Sequence, residues 1–146
     1  MKIVLQRVSR ARVTVEGRVV GEIGPGLLAL VGIHSTDDEV AVEKLARRTS
    51  EMRIFKDAEG KMNLDVRQAG GAVLAVSQFT LCADTSSGRR PSFTPAMAPD
   101  RARPLFERYV DTLKALGLSV STGMFGASMQ VELVNDGPVT ILLETS

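Results

Sequence analysis

Leu27-Leu28-Ala29-Leu30-Val31-Gly32-Ile33 is an almost unbroken apolar run, and Ala72-Val73-Leu74-Ala75-Val76 is a second. A strand with one face in water alternates apolar and polar residues, so a short continuous run suits a strand covered on both faces. The first run is therefore the candidate central strand. Upstream, Ile3, Leu5 and Val8 alternate well enough to predict a first strand over residues 2–8. Val13 and Val15 alternate with Arg12, Thr14 and Glu16 before Gly17 turns the chain into Val19-Val20, which predicts a hairpin that Gly24-Pro25-Gly26 ends.

Thr36-Asp37-Asp38-Glu39 has capping-box spacing, a hydroxyl followed three residues on by a carboxylate, and predicts a helix start. Val42, Leu45, Ala46 and Met52 form its apolar side, while Glu43, Lys44, Arg47 and Arg48 suit water. Met52 to Phe55 reads as extended, Lys56 to Lys61 as a polar turn, and residues 62–71 carry no clear pattern. In the second helix, Asp100 is placed as the cap and Pro104 in the first turn. Ala102, Leu105, Phe106, Tyr109, Val110, Leu113 and Leu116 then repeat at helical spacing until Gly117. Near the C-terminus, Asn135-Asp136-Gly137-Pro138 is turn punctuation between the apolar runs Met129–Val134 and Val139–Leu143, and reads as a tight turn joining two strands. Many strands and two helices without regular β-α-β alternation predict an α+β fold built on a mainly antiparallel, barrel-like sheet.

With 146 residues and 44% hydrophobic content, the chain fits one domain, 1–146, with a real core. Lys plus Arg number 18 against 17 Asp plus Glu, so no global basic field draws nucleic acid, and any such contact must be local. One cysteine, Cys82, and one histidine, His34, exclude an internal disulfide and a conventional zinc site; no metal or cofactor is expected. Met1 to Leu5 is followed at once by Gln6, Arg7 and Arg10, too short for a signal-peptide core, and no apolar run approaches membrane-spanning length. The expectation is a soluble cytoplasmic protein with no membrane partner.

No glycine-rich phosphate loop and no distinctive carboxylate pair is present, and His34 and Cys82 read as structural. What remains is a polar cluster, Ser77, Gln78 and Thr80, directly after the second apolar run, which by local sequence alone reads as the polar end of a strand. Beside it stand the 135–140 stretch, Phe125-Gly126, and Arg89-Arg90 in a long Cys82–Pro99 loop rich in Ser, Thr, Gly, Arg and Pro.

Ser77-Gln78-Phe79-Thr80 together with Asn135-Asp136-Gly137-Pro138-Val139-Thr140 resembles the two signature motifs of the D-aminoacyl-tRNA deacylase (D-tyrosyl-tRNA deacylase) family. The resemblance extends to Met1-Lys2 with Gln6-Arg7-Val8, to Gly88-Arg89-Arg90-Pro91-Ser92-Phe93, and to Thr122-Gly123-Met124-Phe125-Gly126-Ala127 with Met129. It covers essentially the whole chain in the right order.

The resemblance implies a homodimer that hydrolyses the ester joining a D-amino acid, or glycine mischarged on tRNA-Ala, to the terminal ribose of tRNA. It assigns Ser77, Gln78, Phe79 and Thr80 to the pocket beside the ester. It joins Gly137 and Pro138 by a cis peptide that reaches into the partner's pocket to select chirality. Arg7 would hold that element, and Phe125 and Met129 would lie near the terminal adenosine. An aminoacyl ester is already activated, so positioning, a water and oxyanion donors suffice without a histidine triad. The amides of Phe79 and Thr80 are the expected donors, with the ribose 2′-hydroxyl assisting proton movement; Thr80 as a covalent nucleophile is the competing hypothesis, with no base visible in the sequence to activate it. Arg89, Arg90 and Lys61 are the candidate phosphate contacts. The alternatives are a related deacylase editing a mischarged L-amino acid, such as one with a trans Gly-Pro pair or the archaeal threonyl-tRNA synthetase editing domain, and a non-catalytic tRNA-binding module.

Overall fold

The computed structural model describes residues 1–145. Its hub is β1 (Lys2–Val15), which joins into one strand the two pieces expected on either side of Ser9-Arg10. That polar break is where β1 changes partner. One edge of β1 pairs antiparallel first with β3 (Gly26–Gly32), from Lys2 opposite Gly32 to Val8 opposite Gly26, and then with β2 (Arg18–Ile23), from Ala11 opposite Ile23 to Val15 opposite Arg18. The other edge pairs antiparallel with β8 (Gln130–Glu144) along most of its length.

Beyond β3 the sheet continues through β6 (Ala72–Ser77) to β7 (Val120–Thr122), and both of these pairings are parallel. The mainly antiparallel sheet thus carries two parallel pairs, because parallel neighbours need a long crossover and the chain supplies it. Helix α1 (Glu39–Glu51) and a small hairpin of β4 (Phe55–Lys56) and β5 (Met62–Leu64) lie between β3 and β6, and helix α2 (Pro99–Ala115) lies between β6 and β7. At the far end β7 comes round to β2, where the Ser121 hydroxyl donates to the Glu22 carbonyl at 3.4 Å. The result is the expected α+β architecture, a nearly closed barrel-like sheet carrying two helices.

The two apolar runs are buried on both faces, as their composition requires. Leu27, Ala29, Val31, Val73 and Ala75 join the core formed with Leu45, Tyr109 and Leu113 of the helices. Leu28, Leu74 and Val76 turn the other way, into a second core with Val8, Val13 and Ile23. A leucine buried this completely contributes about 1.5–3 kcal/mol. The helices are tied to each other inside the first core by the Tyr109 hydroxyl, 3.0 Å from Thr49 Oγ1; burial pushes the Tyr109 phenol well above its usual range.

Both helix starts differ from expectation. Asp38 caps α1, accepting from the Ala41 amide at 2.9 Å, because Thr36 is engaged with the His34 ring (2.9 Å to Nδ1) and Asp37 accepts from the His34 amide (2.7 Å). Ala98 is the N-cap of α2 and Pro99 its first residue, so Asp100 lies within the first turn and Pro104 one turn later than expected. The helix runs on because Asp100, whose carbonyl would have met the missing Pro104 amide, is exposed to water. No helix among the described residues is long and apolar enough to cross a membrane.

The larger difference concerns residues 135–140. Instead of reversing the chain, Asn135 to Thr140 is a bulge within the single strand β8: Val8 faces Asn135 and Gln6 faces Thr140, so two steps along β1 oppose five along β8. The Asn135 side chain replaces the pairing lost there. Its Oδ1 accepts from the Val139 amide (2.7 Å), and its Nδ2 donates to the Val139 carbonyl (3.1 Å) and Thr140 Oγ1 (3.2 Å). Replacing Asn135 by Ala removes these bonds and is expected to lower the unfolding free energy by about 1–2 kcal/mol. Urea denaturation measures this, and an unchanged midpoint would show that the bulge does not depend on them.

Candidate active site

The parallel pairing of β6 with β3 runs one residue past Ser77, where the Gln78 amide donates to the Val31 carbonyl at 2.8 Å. Gln78 then leads into a 3-10 turn over Phe79–Cys82, closed by Leu81 N–H to the Gln78 carbonyl (3.3 Å) and Ala83 N–H to the Thr80 carbonyl (3.2 Å). The turn can lie this close to the sheet because position 32 has no side chain. A Cβ there would be 2.8 Å from Leu81 Cβ, 3.0 Å from the Gln78 carbonyl oxygen and 3.3 Å from Cys82 Sγ. The first amides of such a turn have no partner within it. Those of Phe79 and Thr80 have no acceptor among the described residues.

Ser77, Gln78, Phe79 and Thr80 form one wall of a cleft of about 510 Å³. Phe125 and Met129, from the segment between β7 and β8, form another, and Met97 to Pro99 with Ala102 of α2 close it. No charged side chain lines it. Within the wall, Gln78 Nε2 donates to Thr80 Oγ1 at 3.2 Å. A carboxamide is not a general base, and among the described residues no Asp, Glu, His or Lys side chain lines the cleft, so Thr80 has no base beside it. At the mouth, the exposed rings of Phe79 and Phe93 meet edge to face, centroids 5.2 Å apart.

The other expected site residues lie together, but outside this cleft. The Gly137-Pro138 peptide is cis and exposed on the β8 bulge. Beneath it Arg7, only 5% exposed, donates from Nε to the Asp136 carbonyl (2.8 Å) and from Nη1 to the Ile54 carbonyl (2.7 Å). These bonds satisfy a buried charge with carbonyl dipoles; the Asp136 carboxylate, 4.0 Å away and largely in water, adds little. Gly137 has φ +145°, and a Cβ on it would lie 2.8 Å from Val139 Cγ2 and 3.1 Å from Arg7 Nη2. Glycine is the residue that fits there.

His34 and Cys82 share a different cavity of about 430 Å³ with Thr36 and Asp84. Burial pushes the Cys82 thiol up, away from the reactive thiolate, and the His34 ring is bonded to Thr36. A larger groove of about 790 Å³ runs along β1, β2 and β8, where Arg12 pairs with Glu132. It brings together no expected site residue.

The sequence model of the family described as D-Tyr-tRNA(Tyr) deacylase matches residues 4–144. The chain belongs to that family. A D-aminoacyl-tRNA deacylase of Symbiobacterium thermophilum is 57% identical over 145 residues, covering 99% of this chain and 96% of the relative. One from Salmonella newport is 58% identical over 140 residues, covering 96% and 97%. Among solved structures, one described as c-Myc DNA Unwinding Element Binding Protein superposes with a TM-score of 0.94 at 39% identity, covering 100% of this chain and 99% of the other. A probable eukaryotic D-amino acid tRNA deacylase shares the fold, with a TM-score of 0.83 at 17% identity and 97% coverage of each.

Sequence reasoning about this deacylase-family cleft missed the part played by Phe93 and by Met97 to Pro99, because a loop's composition does not say which of its residues fold back over a strand end. Phe93 carried a signal, as the aromatic closing the Gly88–Phe93 landmark. The tight seat of the 3-10 turn gives a direct test. Gly32→Ala forces the turn away from β3 and is expected to cost about 1–3 kcal/mol of stability by overpacking. Thermal denaturation reads this, and an unchanged Tm would mean that the turn has slack.

Proposed function

We propose that residues 1–146 act as one deacylase domain that hydrolyses the ester between a D-amino acid, or glycine mischarged on tRNA-Ala, and the terminal ribose of tRNA. The observation that carries this is the uncharged cleft walled by Ser77, Gln78, Phe79 and Thr80, with the Phe79 and Thr80 amides unpartnered at the start of the turn. Those two amides receive the carbonyl oxygen of the ester and donate to it as negative charge develops. Water adds to the carbonyl carbon, the bond to the ribose oxygen breaks, and that oxygen takes a proton relayed by the neighbouring ribose hydroxyl. Free amino acid and tRNA leave. Phe125 and Met129 hold the terminal adenosine against the opposite wall. A side-chain nucleophile is unnecessary for so activated an ester, and the described lining of the cleft offers Thr80 no base.

Selectivity for D over L follows from main-chain exclusion. Gly137 and Pro138 project from β8, lie outside their own subunit's cleft, and are held from below by Arg7 and Asn135. In a homodimer they reach the partner's cleft and stand against the substrate α-carbon, where an L side chain collides and a D side chain or hydrogen does not. Exposed Val134 and Leu142 on the same strand suit burial in such a dimer. The tRNA acceptor end is the partner, with Arg89, Arg90 and Lys61 as outer phosphate contacts, and the reaction belongs to the cytoplasm.

Single-turnover hydrolysis of D- and L-tyrosyl-tRNA, measured side by side, tests the reading. The D ester is expected to be cleaved and the L ester spared; preferential cleavage of L, or of neither, would refute it. In the same assay Gly137→Ala is expected to reduce D-over-L discrimination by about tenfold or more, and unchanged discrimination would refute main-chain exclusion.

A further inference from the structure

The cleft presents no charged side chain, yet the proposed substrate enters it as the end of a polyanion. The charge that meets its last phosphate must therefore stand on the rim. Arg103 of α2 follows Ala102, which lines the cleft, and its guanidinium carbon lies 4.8 Å from the centroid of the Phe125 ring, also a cleft residue. That ring in turn packs against buried Phe106, centroids 6.0 Å apart, so the stack is rooted in the core.

Arg103 is exposed and makes no ion pair among the described residues, although Asp100 three residues before it and Glu107 four after it have helical pairing spacing. Arg108 on the same helix behaves differently and is paired with Glu43. A guanidinium lying over a ring uses its flat face for that contact and keeps its in-plane N–H donors, whose fork geometry matches phosphate oxygens. Lys61, Arg89 and Arg90 have no comparable anchor to the cleft among the described residues.

We infer that Arg103 is a substrate-binding residue that grips the phosphodiester linking the terminal nucleoside to the one before it. The inference rests on the deacylase reading above, because it needs the terminal nucleoside beside Phe125. Arg103 then sets the depth to which the acceptor end enters the cleft, and does so only for substrates that carry the phosphate.

The test compares Arg103→Ala with the wild-type protein on two esters, D-tyrosyl-tRNA and the phosphate-free 3′-O-D-tyrosyl-adenosine, over a range of salt concentrations. On the tRNA, Arg103→Ala is expected to lower kcat/KM about tenfold, chiefly through KM, and to flatten the salt dependence by about 0.7 in log–log slope, the share of one phosphate contact on a single strand. On the adenosine ester the two proteins are expected to behave alike. An equal loss on both esters would show that Arg103 only steadies Phe125, and no loss on the tRNA would show that it does not touch the phosphate; either overturns the assignment alone. A wild-type protein inactive on both esters would instead overturn the deacylase reading together with it.

Discussion

One strand carries the structural logic of this chain. β1 has three partners, β3 and β2 in succession on one edge and β8 on the other, and the pairing with β8 is uneven. Where two residue steps of β1 face five of β8, the surplus backbone has to leave the sheet, and it emerges as the Gly137-Pro138 knuckle. The knuckle is supported from below. Arg7 comes from β1 itself and joins the bulge to the Ile54 carbonyl, while Asn135 supplies the hydrogen bonds the missing pairing would have made. The same register places Gly32 at the end of β3, and so fixes how closely the 3-10 turn after β6 can approach. Both elements proposed to act on the substrate are thereby main-chain features whose shape the sheet determines.

This arrangement explains an otherwise odd inventory, a hydrolase-family cleft without an acid, a base or a charged side chain in its lining. On the proposed reading, an aminoacyl ester needs modest acceleration, which donors fixed in advance can supply without reorganising during the reaction. The cleft also suits its proposed substrate electrostatically. Its neutral walls leave the backbone amides as the main dipoles where the scissile bond is proposed to lie, and the cation Arg103 stands at the rim, on the proposed path of the phosphates. The proposed selection of chirality draws on the same property: fixed backbone around glycine and proline cannot swing aside as a flexible side chain can.

The elements governed by hydrophobic periodicity could be read from the sequence. The apolar runs Leu27 to Ile33 and Ala72 to Val76 supply strands β3 and β6, buried on both faces, and the Ala102 to Leu113 stripe is the core side of α2. Features decided by competition between neighbours could not. Thr36 and Asp38 are both able caps, and the choice fell to Asp38 only because His34 lies within reach of Thr36 in the folded chain. Asn-Asp-Gly-Pro specifies local dihedral freedom, which serves a reversal and a bulge equally well; what decides is whether the two flanking runs meet each other or the same third strand. Here both meet β1. Among the candidate site residues, Ser77 to Thr80, Phe125 and Met129 are legible only through family resemblance, and they line one cleft. The rim stack of Arg103 on Phe125 had no sequence signature, since an exposed arginine on a helix looks the same whether it faces bulk water or a ring from another segment.

Catalysis by the main chain of the Phe79–Cys82 turn, as proposed, and catalysis by a side-chain nucleophile are separated most directly by Thr80→Ala. Single-turnover hydrolysis of D-tyrosyl-tRNA by this variant should stay within about threefold of the wild-type rate, because the amide of residue 80 is retained. A loss of about a thousandfold or more, as expected when a covalent nucleophile is removed, would contradict the proposed main-chain catalysis.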